Sequence, residues 1–300
     1  MKKMKKSAMA GALTAAMRAT LCVTCLATSA VACTSDDPDP SVAVAVLPPP
    51  PMEDPVTVTF GFGYDYDVRP MTRAASPVGT VATHLDLWVC QGDDINEVHQ
   101  TSATEGFGTV NMTLDRSKTY TLYAVAHKAD GAATLTDGII SFPDDKVKDT
   151  FWYSTTFSPA DATTVACELE RIVAAFRLSI TDGIPAEVKR LRITMAGVYD
   201  RWSVTDGAAH QTDRVVTVNY GGTSANFLVY AIVPEAETLH TVTVEALDDG
   251  DRVVQQRTFP DVPLRRNFKT QFTGDFFTSQ PMAITLTAAS DWQEYEPVSF

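Results

Sequence analysis

Cysteine and histidine are scarce in this chain, at five residues each in 300. Three of the cysteines, Cys22, Cys25 and Cys33, fall near the N-terminus, which leaves Cys90 and Cys167 for the body. A disulfide-dense scaffold needs more than one bridge, so stability must come from an apolar core. His84, His99, His127, His210 and His240 are scattered and share no metal-ligand spacing. Beyond residue 32 nothing approaches the roughly 20 apolar residues of a membrane-spanning helix. No segment carries a sustained helical period, apart from a short turn near residues 159–163. GxSxG, HExxH, the Walker loop and the dinucleotide glycine pattern are all missing. Carboxylates are plentiful, yet no pair stands out as acid and base, so neither an enzyme nor a cofactor is expected.

What is present begins at the N-terminus. Lys2, Lys3, Lys5 and Lys6 precede a small, apolar stretch broken by Arg18, which reads as a secretory signal over residues 1–32. Cys22 and Cys25 form a CxxC spacing inside that signal and are set aside. The signal ends in Ala30-Val31-Ala32-Cys33, followed by TSDDPDP. Small residues before a cysteine, then an acidic tether, resemble the lipobox of bacterial lipoproteins, with Ala30 where leucine is usual. The resemblance implies that Cys33 becomes the lipidated first residue; an ordinary cleavable signal is the alternative. Ser35-Asp36-Asp37 resembles the acidic surface-export signal of Bacteroidota lipoproteins. Removing the signal takes five basic residues and no acidic one, so the chain from Cys33 has 19 basic against 37 acidic residues, a net of −18. That surface repels phosphates and disfavours nucleic acid as a partner. Cys90 and Cys167 could form one disulfide in an oxidising compartment or stay as buried thiols.

Residues 33–55 read as an acidic and proline-rich tether, with Pro48, Pro49, Pro50 and Pro51 favouring extended polyproline II. An unbroken period of two comes next. Val56, Val58, Phe60, Phe62, Tyr64 and Tyr66 share one face; Thr57, Thr59, Gly61, Gly63, Asp65 and Asp67 share the other. This is a strand with one buried and one wet face. The loop after it ends in Thr72-Arg73-Ala74-Ala75, so an arginine-specific protease could cut between Arg73 and Ala74. Short alternating segments continue to the C-terminus. In ELERIVAAFRLSITD, Ile172, Ala174, Phe176, Leu178 and Ile180 share a face, while FLVYAIV is apolar on both parities and reads as a central strand. LDDGDR reads as a hairpin tip rather than a calcium loop. The spacing predicts an all-β chain of two tandem β-sandwich domains, residues 56–160 and 166–300, parted where patterning lapses at 157–166. Trp88, Trp152, Tyr153, Trp202 and Trp292 could stack on sugars or, the commoner use, fill the cores.

A lipoprotein signal, an alternating first strand, TRAA and two β domains, in that order, resemble the fimbrillins of Bacteroidota, subunits of type V pili. LERIVAAFRLSITDGIP is similar to the segment that opens their second domain. VPLRRNFKTQFTGDFF resembles their late RN-x-x-T-x-x-x-G hairpin, and the Asp291-Trp292 tail fits as well. The resemblance implies transthyretin-like domains, lipidation at Cys33, export to the outer membrane and cleavage at Arg73, since Pro70 protects Arg69. It further implies donor-strand exchange, in which the Val56–Tyr66 strand leaves and a neighbour's C-terminal segment replaces it. The candidate donor here includes Ile284, Leu286 and Trp292. Implied partners are other fimbrial subunits, in a homo- or hetero-polymer, the outer membrane through the lipid, and a host or bacterial surface ligand. An uncleaved anchor and a glycan-binding surface lipoprotein are the competing readings.

Overall fold

A computed structural model describes residues 52, 54–64, 76–220, 226–278 and 282–288. It is built almost wholly from strands. In chain order these are β1 (Pro55–Tyr64), β2 (Ser76–Pro77), β3 (His84–Gln91), β4 (Asp94–Thr101), β5 (Thr109–Asp115) and β6 (Tyr120–His127). Then come β7 (Thr134–Thr136), β8 (Ile139–Ser141), β9 (Thr150–Phe157) and β10 (Thr164–Arg171). The series continues with β11 (Val173–Ile180), β12 (Arg190–Ser203), β13 (Gly207–Asn219) and β14 (Asn226–Ile232). It ends with β15 (Thr238–Leu247), β16 (Val253–Leu264), β17 (Phe268–Gly274) and β18 (Ala283–Ala288).

Two sheets account for all of them. One has the order β2-β1-β10-β9-β6-β3-β4, with β5 also on β1; the other has β16-β15-β12-β14-β11-β17-β18, with β13, β7 and β8 attached through β12. Alternation explains the cores. Leu85, Leu87 and Val89 of β3 face the first core with Val58, Phe60 and Phe62 of β1 and Leu122 and Ala124 of β6. The second core gathers Phe176 and Leu178 of β11, Leu191 and Ile193 of β12, Val242 and Val244 of β15, and Phe259 and Phe272. As the pattern of FLVYAIV requires, β14 lies inside its sheet, between β12 and β11.

A third cluster joins the sheets. The other face of β3 and β6 contributes Trp88 and Val125, β8 contributes Ile140, and Trp202 and Ile232 come from β12 and β14. The excursion between β6 and β9 supplies this contact: β8 pairs with β12, Trp202 opposite Ile140. Residues 157–166, where strand patterning lapses, form a turn in which the Ser158 carbonyl accepts the Asp161 and Ala162 N–H groups; it links β9 to β10 of the same sheet. The chain changes sheets at Ile172 instead. Ile172 therefore belongs to the joining cluster, while Ala174, Phe176, Leu178 and Ile180 line the second core. The continuous face expected through Ile172 is broken there.

Cys90 and Cys167 are free thiols. Cys167 on β10 faces the first core; Cys90 on β3 packs toward the joining cluster, on the opposite face, with β9 and β6 between the two strands. Of the two alternatives the bridge has no path, because bonded Cβ atoms must approach within about 4.5 Å. Burial pushes the Cys167 thiol up to about 12. Reductant should leave the melting temperature unchanged, and a thiol reagent should label Cys167 only after denaturation; a melting temperature that falls on reduction would contradict this topology.

Candidate functional site: the first strand and its seat

β1 is enclosed on both edges. It runs antiparallel to β5, from Pro55 opposite Asp115 to Gly61 opposite Thr109. It runs parallel to β10, from Thr59 beside Thr164 to Tyr64 beside Leu169. A parallel partner cannot be reached by a tight turn, so every backbone bond that holds β1 to these two strands is long-range. Val58 and Phe60 are wholly buried, and Phe62 and Tyr64 nearly so. At about 1.5–3 kcal/mol each, these four side chains give an upper bound of about 6–12 kcal/mol. That is on the scale of a whole domain's stability. β1 is thus essential to the first core, yet along the chain only residues 65–75 connect it to β2.

At its C-terminal end β1 meets a buried polar knot. Arg171, at the end of β10, donates Nε and Nη2 to the two carboxylate oxygens of Asp149 at 2.7 and 3.0 Å. Its Nη1 donates to Tyr64 Oη at 3.3 Å and to Asn267 Oδ1 at 3.0 Å. The Tyr64 hydroxyl in turn donates to Asn267 Oδ1 at 3.2 Å. The guanidinium lies 4.7 Å from the Phe151 ring and 5.4 Å from that of Tyr64. Burial works against the Arg171 charge, but the charge and hydrogen bonds of Asp149 outweigh it, and the guanidinium is held above its ordinary value. Tyr64 belongs to the first strand, Arg171 to the change of sheets, and Asn267 to the turn before β17.

The two stretches that carry the fimbrillin resemblance lie side by side. β11 pairs in parallel with β17, Phe176 beside Thr270. Just past β11, the Asp182 carboxylate accepts the N–H groups of Phe276, Phe277 and Thr278 at 2.8, 2.7 and 3.1 Å. Asp182 and Asn267 are thus where those short stretches do their structural work.

Other expectations fare differently. Cys33, Tyr66, Arg73, Ala74 and Trp292 lie outside the described residues. Ile284 and Leu286 sit on β18, which pairs antiparallel with β17 of the same chain, and Ile284 is exposed. Trp88 and Trp202 are buried. Trp88 donates Nε1 to Glu97, and Trp152 stacks on Tyr123 with centroids 5.8 Å apart. Tyr153 packs on the first core. Trp88 and Trp202 are core residues, whereas Trp152 and Tyr153 are half-buried and pack against the clusters from outside. A cavity of about 600 Å³ lies between residues 144–149 and β12–β14. Arg214 on its wall is spent holding that segment, donating to the Asp145 and Val147 carbonyls.

Sequence spacing missed one cluster. Strand pairing sets His84 opposite His127 and Asp86 opposite His99. Buried Asp86 meets His99 Nδ1 and His127 Nε2, each at 2.7 Å, and accepts the Ala133 N–H at 2.9 Å. His127 Nδ1 accepts from the Ala129 N–H, so both its ring nitrogens are committed. His84 stacks flat on His127. Only the pairing of β4 and β6 with β3 makes these residues neighbours, so no linear motif could have announced them.

The fold is shared with solved proteins. A candidate adhesin from Bacteroides ovatus aligns over 77% of this chain and 96% of its own, with 12% identity and a TM-score of 0.50. The fimbrial anchor protein Mfa2 of Porphyromonas gingivalis aligns over 78% of this chain and 98% of its own, with 11% identity and a TM-score of 0.46. The tip fimbrial protein Mfa3 of the same organism, with a C-terminal truncation, aligns over 78% and 99%, with 11% identity and a TM-score of 0.41. No curated protein matches the sequence. The model of a family of unknown function, DUF6562, matches residues 133–295, more than half of the chain, and the chain belongs to that family.

The knot and the histidine cluster each generate an expected outcome. Asp149→Ala leaves a buried arginine without its carboxylate and should cost about 3–5 kcal/mol in urea unfolding. His84 is shifted below its ordinary value, first by burial and then by His127, against the pull of Asp86 and Asp130. The unfolded chain then binds the extra proton, so this contribution is complete above about pH 6.5 and is lost as pH falls further. His84→Gln should therefore lessen the loss of stability between about pH 6.5 and 5, read as melting temperature against pH beside the parent.

Proposed function

We propose that this chain is a non-enzymatic structural or adhesive subunit of a cell-surface fimbria, exported as a lipoprotein on Cys33 and assembled by strand exchange after cleavage between Arg73 and Ala74. The observation that carries the reading is the state of β1: a strand that fills a core, is bonded on both edges by distant strands, and is followed in the sequence by Arg73. Cutting the chain there turns an internal strand into a bound peptide. The emptied seat would present apolar side chains and two unpaired strand edges, which a strand from another chain can satisfy. The adhesin and fimbrial neighbours support a surface role of this kind.

On this reading the partners are other fimbrial subunits, the outer membrane through the Cys33 lipid before processing, and a ligand on a host or bacterial surface. β1 leaves on the membrane side of the cut, so processing also frees the body from its lipid. A lipoprotein that keeps β1, as an anchor, is the second reading; the burial of Val58, Phe60, Phe62 and Tyr64 is what favours it. The glycan-binding alternative loses Trp88 and Trp202 as stacking surfaces, since both are buried.

Mass and N-terminal sequence of the protein recovered from the cell surface separate these outcomes. A chain beginning at Ala74 is expected, with Arg73→Ala blocking its appearance and its entry into high-mass assemblies. A chain beginning at a lipidated Cys33 that resists arginine-specific protease would overturn the exchange reading in favour of the anchor.

A further inference from the structure

We propose that the seat of β1 selects its occupant at the Tyr64 position, and that the strand which replaces β1 is supplied by a different protein rather than by the C-terminal stretch of a second copy of this chain. The inference rests on the strand-exchange reading and adds the identity of the partner strand.

Along most of its length the seat asks only for alternating apolar side chains, which many strands supply. Its end is different. Tyr64 brings a hydroxyl into a site where the Arg171 side chain is only 3% exposed, and there it accepts from Arg171 and donates to Asn267. The phenol ring also stands edge-on to Phe151, centroids 4.7 Å apart. A replacement strand with phenylalanine or leucine here would fill the volume, or part of it, while removing a partner from the buried Arg171 guanidinium and from the half-buried Asn267 amide. Leaving such groups short of a partner is far costlier than losing the same bond in water. The required pattern is therefore three apolar residues at alternate positions and then, two residues on, an aromatic ring bearing an oxygen that both accepts and donates. Valine, phenylalanine, phenylalanine and tyrosine at 58, 60, 62 and 64 meet it.

The C-terminal stretch of this chain does not meet it in any register. Its one tyrosine is Tyr295, and at two, four and six residues before it stand Gln293, Asp291 and Ala289, which would bury a carboxylate and an amide. Run in the opposite direction, the positions after Tyr295 are Pro297 and Ser299, and proline cannot donate to the ladder. Placing Ile284, Leu286 and Ala288 in the apolar seats ends in Ser290, whose short side chain falls well short of Arg171. Placing Trp292 at the Tyr64 position puts Ser290 where Phe62 sits and offers only a donor where Arg171 needs an acceptor. A seat shaped this way excludes self-polymerisation through residues 283–300 and makes the chain an acceptor for another subunit.

The test uses the protein from Ala74 onward, prepared by arginine-specific cleavage of the full chain, unfolding in urea and removal of the released strand. It is refolded with labelled peptides spanning residues 54–68 that carry the native Tyr64, Tyr64→Phe or Tyr64→Leu, and with a peptide of residues 283–300. The native peptide is expected to restore a folded complex, with the Phe peptide about tenfold weaker, the Leu peptide weaker still, and the 283–300 peptide unable to compete. On an Asn267→Ala chain the gap between the Tyr and Phe peptides should narrow. Equal binding of the native, Phe and Leu peptides would overturn the selection at Tyr64 while leaving strand exchange standing. Binding of the 283–300 peptide as tight as that of the native strand would overturn the requirement for a different protein. Failure of every peptide, the native one included, would overturn strand exchange and this inference with it.

Discussion

The guanidinium of Arg171 is a charge taken out of water at the point where the chain leaves one sheet for the other, and the rest of the structure is arranged so that it can stay there. Asp149 neutralises it through two hydrogen bonds, Phe151 and Tyr64 lie against it, and Asn267 reaches it from the second sheet. A buried ion pair contributes little net stability over a well-packed apolar substitute, but breaking it by removing one partner is expensive. It therefore acts more as a condition on register than as a source of adhesion. β1, β10, the segment before β9 and the turn before β17 must all be in place for the charge to be tolerated.

That condition gives the first strand a double character. Its alternating side chains hold it by area alone, with a contribution as large as a small domain's net stability. Its last described side chain takes part in a network that also includes a residue of the second half. Loss of β1 would open the first core and disturb the seam between the sheets together. A body that must shed and regain such a strand gains from an occupant checked at its end, because apolar alternation by itself discriminates poorly. Selectivity then comes from hydrogen bonds that cannot be replaced by water.

Much of the fold was legible in the letters. Period-two alternation marks β1 and β5, each with one face on the first core, and it also marks β6 and β11, whose other faces are largely buried as well. The double-sided apolarity of FLVYAIV marks an interior strand because β14 has neighbours on both sides and cores above and below. Ile172 shows where such reading fails: it keeps the parity of Ala174 and Phe176, yet the backbone turns from one sheet to the other at that residue, and parity carries no information about which core a side chain enters. The site was only half legible. The apolar side of β1 announces itself, whereas the importance of the Tyr64 hydroxyl depends on Asn267, 203 residues away, and that of Asp86 on pairings with β4 and β6. Tryptophan follows its commoner use, since the cores claim Trp88 and Trp202.

A structure of the protein within its surface assembly tests the central claim most directly, because it reveals what occupies the seat between β5 and β10. The expected occupant is a strand that is not residues 55–64 of the same chain, with an oxygen-bearing aromatic side chain set against Arg171 and Asn267. A seat still filled by the chain's own β1, continuous with residues 65–75 and β2, would contradict that claim.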